Sequence, residues 1–248
     1  MAVQITEFDY GSSISYICKM LGHPTSPDPA GSTDSAVQQM GVALNAALGE
    51  LLTMHEWQDL IRVGTISVGA DFVGQKEKAF AFPPDFYRFI DQTQWGQQSM
   101  LPAMGPVSPQ AWMTFTVRTS PAITLYWQVR HDKLMVLNPP FPGPVDFNFM
   151  YLSRAQVIDQ DDSDLFKNLA VKNGDRFLLD GYMVLLLGRA RYLEWKGFDA
   201  GAATRDFLAV FNSRAGSEKG APILSLSRQF GFPYISVQHS LPDTGYGH

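Results

Sequence analysis

The sequence has almost no cysteine. Cys18 stands alone among 248 residues, so the chain cannot close a disulfide on itself, and assembly in a reducing cytosol is expected. Charge is sparse as well: charged residues make up 17% and hydrophobic residues 45%, a balance that builds a sizeable core and excludes a disordered chain. There is no basic excess. The formal net charge is -5 at pH 7, whereas a nucleic-acid clamp carries positive charge that displaces counterions from phosphates. Long apolar runs are missing too. The most apolar stretch, residues 177–188, is interrupted by Asp180 and falls short of the roughly 20 residues needed to cross a bilayer. The first residues lack a basic segment followed by an apolar one, so no secretory signal is expected and the protein reads as soluble.

Motifs of chemistry are equally scarce. His23, His55, His131, His239 and His248 never pair at ligand spacing, and neither HExxH nor CxxC occurs, which argues against zinc. The acidic run Asp159, Asp161, Asp162, Asp164 has no turn glycine, and Ala170 stands where a calcium loop closes with glutamate. Capping of helix starts explains these acids better. No glycine-rich phosphate loop and no GxSxG elbow appears. Cys18, among Tyr16, Ile17 and Met20, reads as a buried thiol rather than a nucleophile. Arg189, Arg191, Tyr192 and Trp195 could touch nucleic acid, but Glu194 and Asp199 dilute that patch into an ordinary helix surface. No catalytic residue, metal or cofactor is expected. The competing enzymatic reading is a carboxylate-based hydrolase using Asp161, Asp162 or Asp91, which would require close acids with raised pKa.

What is there is organised in blocks. The whole acidic imbalance sits in residues 1–63, where Lys19 and Arg62 face Glu7, Asp9, Asp28, Asp34, Glu50, Glu56 and Asp59. Such a face is either simply solvated or a wall along which DNA slides without sticking. Residues 12–21 read as a helix closed by Gly22, and Thr33 or Asp34 can cap a longer one. On that helix Val37, Met40, Leu44, Ala47, Leu48 and Leu51 form one stripe, with an end expected between Trp57 and Leu60. Between 64 and 152 strand-like pieces are broken by glycine and proline: Val63, Ile66 and Val68, then Ala79 and Phe80. Residues 82–88 suggest a turn into a short helix, and Ser108-Pro109 another helix start. Residues 123–129 and 133–137 suggest a hairpin, and Phe147, Phe149 and Tyr151 alternate along a strand over 145–152. Helices are expected again from Asp164, from Gly174-Asp175 to about Lys196, and from Ala200 to Ala215 before Gly216. On the second of these, Phe177, Leu178, Tyr182, Leu185 and Tyr192 would be buried; on the third, Phe207, Leu208, Val210 and Phe211 are apolar.

The fold expected from this is mainly α: a helical bundle core from 1–63 and 153–216, a β-rich insertion at 64–152, and an extended arm at 217–248. In the arm, Leu224, Leu226, Phe230, Phe232, Tyr234, Ile235 and Val237 follow no helical period. Leaving them in water is costly, at about 25 cal/mol per Å², so they either fold back on the chain's own domain or embrace a neighbour.

The order of segments carries a resemblance. The helix over 37–52 followed by His55-Glu56-Trp57, then Phe82-Pro83-Pro84-Asp85-Phe86-Tyr87-Arg88, then Gly105-Pro106-Val107-Ser108-Pro109 with Trp112, then Arg191-Tyr192-Leu193-Glu194-Trp195-Lys196-Gly197 resembles the head-to-tail adaptor (head-completion or connector) proteins of short-tailed bacteriophages. It spans roughly 33–216. The resemblance implies a virion structural protein: a homo-oligomeric ring of about twelve copies beneath the portal protein, a tail or nozzle protein below, and DNA passing through unbound. It also implies that the arm grips the portal or the neighbouring copy. In that setting Asp34, Glu50, Glu56 and Asp59 are the candidate channel-facing acids. A tail-tube or nozzle ring is the alternative at another level of the virion.

Overall fold

The computed structural model describes residues 8–68, 77–96, 101–117, 125–137 and 145–218. Helix α1 (Tyr10–Leu21) and helix α2 (Ser35–Met54) come first, followed by a 3-10 turn (Gln58–Leu60). Strands β1 (Ile61–Val68), β2 (Glu77–Ala81), β3 (Phe86–Phe89), β4 (Trp95–Gly96) and β5 (Leu101–Pro102) lead to helix α3 (Pro109–Val117). Strands β6 (Tyr126–Arg130), β7 (Lys133–Leu137), β8 (Val145–Ser153), β9 (Val157–Ile158), β10 (Phe166–Lys167) and β11 (Arg176–Phe177) precede helices α4 (Gly181–Trp195) and α5 (Gly201–Glu218). The described residues therefore hold five α-helices and eleven strands in three antiparallel sheets. This corrects the expectation of a mainly α bundle: the fold is mixed, with helices and antiparallel sheets side by side.

The correction is largest between Ser153 and Asp180. Helices expected from Asp164 and Gly174 are replaced by a small sheet in the order β10-β9-β11. The aspartates read as helix caps instead close turns: Asp159 accepts from the Asp161 N–H at 2.8 Å and Asp162 from the Asp164 N–H at 2.9 Å. Side chains that bond their own backbone two residues on compete with helix formation. Helix α4 starts later than expected, at Gly181, where Asp180 accepts from the Tyr182 N–H at 3.0 Å. Phe177 belongs to β11, and Tyr182 is largely exposed, not buried. Residues 86–89 are likewise a strand, not the expected helix. A turn in which the Phe86 N–H donates to the Pro83 carbonyl at 3.0 Å delivers them to β8.

Elsewhere periodicity and caps read correctly. Asp34 caps α2 through the Ala36 N–H, and Gly22 closes α1 in the left-handed region at φ 71°. Helix α2 ends at Met54, short of the expected Trp57, and α5 continues through Gly216 to Glu218. Leu208 is exposed on α5 while Phe207 is buried. The hairpin forms as β6 and β7, and α3 starts at Pro109 with Ser108 accepting the Trp112 N–H at 2.8 Å. Arm residues Leu224, Leu226, Phe230, Phe232, Tyr234, Ile235 and Val237 lie outside the described residues.

Two apolar cores result. The first gathers α1, α2 and α4 around Ile14, Met40, Leu44, Leu48 and Leu185, and takes in Leu152 and Val157 from the strands. The second joins Val68, Trp127, Leu134, Val136, Phe147, Phe149 and Tyr151. Strand β8 links them. It pairs with β1 along eight positions, from Ile61 opposite Leu152 to Val68 opposite Val145, and also with β3 and β4. Its alternate residues 147, 149 and 151 enter the second core while Leu152 turns to the first, as a period of two requires.

Helix α4 meets α2 where Gly188 lies against Leu44. A Cβ on Gly188 would stand 2.7 Å from Leu44 Cδ2 and 3.3 Å from its Cα. Backbone that close leaves no room for a branched side chain. Gly188→Val gains a few tenths of a kcal/mol in helix propensity but overpacks the contact, and a net loss of about 1–3 kcal/mol is expected. The check is urea unfolding: the midpoint should fall with the slope unchanged, and an unaltered midpoint would mean that the helices can part at no cost.

Candidate functional site

Charge is concentrated in the small sheet. The Asp175 side chain has no exposed surface, yet it is fully partnered. It accepts from the backbone N–H of Gln160 (3.1 Å), Val171 (2.8 Å) and Lys172 (2.9 Å), and from Lys167 Nζ at 2.9 Å to both oxygens. Asp159 receives the same Lys167 Nζ at 2.6 Å and Lys172 Nζ at 3.3 Å, while Lys172 also pairs with exposed Asp161. A buried carboxylate without such donors would be prohibitively costly. Burial pushes the Asp175 carboxyl up, but the donors from Lys172, Val171, Lys167 and Gln160 outweigh it and hold it below the ordinary range. The Lys167 ammonium above all, then the Asp161 N–H, keeps Asp159 far below that range. Lys167 is pushed down by burial yet ends above its usual value because of Asp159 and Asp175.

The backbone around Asp175 ties distant segments together. Its carbonyl accepts the Tyr10 N–H, and the Asn173 carbonyl accepts the Gly11 N–H, each at 2.9 Å, anchoring the start of α1. Asn173 Oδ1 accepts from Ala30 N–H, and Asn45 of α2 exchanges two hydrogen bonds with Ala170. The cluster is a structural clasp built from salt bridges, and sequence reading missed it. Its signal was two lysines and five aspartates within residues 159–175, which looks the same as a solvated surface.

The residues singled out for chemistry do not converge. Asp161 and Asp162 sit in the turns before β10, and Asp161 is held below its ordinary pKa by Lys172, then Gln160. Asp91 is exposed in a turn after β3, on a different sheet. A hydrolytic pair would need the opposite shift and shared space. Cys18 is buried with its Sγ 3.4 Å from Met40 Sδ, and burial raises its pKa, as an inert thiol should behave. Among the described residues no group of three or more His, Cys, Asp or Glu could hold a metal. Arg191 is clasped by Glu50 at 2.7 Å and by Glu194, Tyr192 is buried, and only Trp195 of that expected patch is largely exposed.

The four acids proposed to face a channel are also dispersed. Asp34 caps α2 at one end, while Glu50 lies 16 residues on, about 24 Å along the axis. Glu50 is engaged by Arg191, and Glu56 is paired with Arg88 at 3.2 Å. Asp59 is exposed beside a cavity of about 360 Å³. That cavity is walled by Phe8, Trp57, Leu178, Leu179 and Met183, with the Arg214–Asp180 ion pair (2.7 Å) at its edge. A second polar cluster, on the larger sheet, centres on Asp85, which accepts from Tyr151 Oη (3.0 Å) and Ser153 Oγ (2.7 Å) and faces Arg62 at 3.3 Å. Burial first, then Asp85, pushes the Tyr151 phenol up to about 12.

No protein-family model matches this sequence, and no curated protein matches it closely enough to count as a relative. No helix of the described residues is long and apolar enough to cross a membrane.

The clasp makes stability depend on pH at both ends. Asp159 and Asp175 titrate below their unfolded values, so their contribution is complete above about pH 4 and is lost as pH falls through the folded values. Lys167 and Lys172 titrate above theirs, so their contribution is present below about pH 10.4 and fades beyond it. Asp175→Asn removes the central charge from a buried site, and a loss of about 3–5 kcal/mol is expected by denaturant unfolding at pH 7. The acid-side decline should also become shallower in this variant. An unchanged acid limb would assign that decline to other carboxylates.

Proposed function

We propose that this chain is a structural virion protein: a head-to-tail adaptor that closes into a ring beneath a portal protein, with a tail or nozzle component below, leaving a channel for DNA. The observation that supports the reading is two groups of exposed apolar side chains on unlike parts of the chain, among others exposed elsewhere on the surface. Leu165, Leu169 and Val171 flank β10 on the small sheet, each at least half exposed, with Phe166 beside them. Met113 and Val117, one turn apart, are exposed on α3, whose Phe115 stacks on Tyr126 of β6. Isolated exposed apolar residues need no explanation, but grouped ones mark contact surfaces. A ring that closes by rotation requires two different patches, because one face of each copy meets another face of the next.

The electrostatics are compatible with this role. A net charge of -5 gives DNA no general hold on the subunit. Glu50, Glu56 and Asp34 are engaged within the chain, so a non-adhesive wall in this reading comes from overall charge and from Asp59, not from a continuous row of free acids.

The test is complementation by mixing. Leu165→Asp with Leu169→Asp disables one patch, and Met113→Asp with Val117→Asp disables the other. At concentrations where the unmodified protein assembles, alone or on portal rings, each variant should sediment as a monomer. Mixed in equal amounts they should form discrete dimers, since each supplies the patch the other has lost. A contact joining like faces would give no rescue. A protein that stays monomeric at every concentration, with and without portal rings, would remove the reading.

A further inference from the structure

Asn173, in the clasp, is the only asparagine of the chain that is followed by glycine. Asparagine is a thermally labile residue, and this pairing is its most reactive form, because glycine has no side chain to hinder its own backbone nitrogen. On losing its proton, that nitrogen attacks the side-chain amide carbon. Ammonia leaves, a cyclic succinimide closes, and water reopens the ring to aspartate or isoaspartate. Overall the residue takes up water and releases ammonia, with no oxidant or cofactor.

In the folded protein both reacting groups are held. The Gly174 N–H donates to Gln160 Oε1 at 2.9 Å. Asn173 Oδ1 accepts the Ala30 N–H at 2.9 Å, and its Nδ2 donates to Asp28 Oδ1. The Asn173 carbonyl accepts the Gly11 N–H at 2.9 Å. Gly11 comes so near that a Cβ there would stand 2.7 Å from Asn173 Oδ1, so the amide is wedged between α1 and the loop over 28–31. Cyclisation requires the amide carbon and the Gly174 nitrogen to meet, which costs these side-chain bonds and the bond to Gln160.

The product does not fit the same space. Aspartate at 173 loses the Nδ2 donor and sets a carboxylate against Asp28. The Asp28 carboxyl is itself held below its ordinary range, first by the Asn173 amide and then by the Gly31 N–H. Isoaspartate routes the backbone through the side-chain carbon and so lengthens it between residues 173 and 174. The Asn173 and Asp175 carbonyls, which bind the Gly11 and Tyr10 N–H groups at 2.9 Å each, then lose their mutual spacing.

We propose that Asn173 is a deamidation site gated by the clasp: unreactive while residues 159–175 are folded around Asp175, and converted to aspartate or isoaspartate once that segment opens, after which the start of α1 no longer docks. The clasp is then a one-way device in which each opening risks a permanent change. This inference stands on the clasp alone and is independent of the adaptor reading.

The test incubates the full-length protein in mildly alkaline buffer, folded and in guanidinium chloride. Mass spectrometry follows the peptide that contains Asn173, with the isoaspartate form resolved by chromatography. The folded protein should lose the Asn173 amide at least about tenfold more slowly than the denatured chain, since reaction there needs local opening. Gln160→Ala with Asp28→Ala removes a partner from each reacting group and should speed the loss in the folded protein, while Asn45 and Asn212 react no faster. Equal rates in the folded and denatured protein would overturn the proposal, and so would a double variant that reacts no faster than the unmodified chain. Asn173→Asp supplies one product directly. Amide exchange at Gly11 and Ala30 should quicken in it while the middle of α2 stays protected, and unchanged exchange at both would refute the effect on α1.

Discussion

The burial of one carboxylate organises the helical half of this protein. Asp175 has no exposed surface, and its charge persists there only because Lys167 and three backbone N–H groups surround it. Those donors come from the segments before β10 and after it, so satisfying the charge forces residues 159–175 into a compact double turn. That turn in turn presents the carbonyls that start α1, the side chain that holds residue 30, and the backbone that Asn45 of α2 grips. Helix α4 then begins where the small sheet ends, with Asp180 as its cap. Four chain segments far apart in sequence thus converge on one desolvated group.

A second organising element is β8, which separates two cores while belonging to both. Its aromatic face packs against Trp127 and Phe89, and its other face contributes Leu152 beneath the helices. Because β1 pairs along its whole length, the sheet continues the 3-10 turn that follows α2, and the two cores are joined through hydrogen-bonded backbone instead of a loose linker.

Chemistry and surface point in the same direction. Of the carboxylates weighed as acid and base, Asp161 is tied up with Lys172 and held below its ordinary range, while Asp162 closes a turn and Asp91 lies on a different sheet. Exposed apolar side chains are spread over many elements, and two groups of them, around β10 and on α3, lie close together in sequence. In the proposed ring these two groups are the contact faces.

Much was legible from the chain alone. The 3.6-residue stripe of α2, the Asp34 cap, the Gly22 stop, the hairpin of β6 and β7, the alternation of β8 and the burial of Cys18 all follow from local pattern, since each depends on neighbours a few residues away. The region 153–180 was not legible. Its aspartates satisfy helix-cap rules and turn rules equally well, and only their pairing with Lys167 and Lys172 and the contacts from distant Tyr10 and Asn45 decide between them. The strand at 86–89 was decided in the same way, by β8 some sixty residues later. Sequence determined which segments could be amphipathic and where the charge was scarce. Tertiary structure alone decided which aspartate would be buried, which acids would be neutralised by arginine, and which apolar residues would be left outside, because each of these depends on groups that the chain brings together only after it has folded.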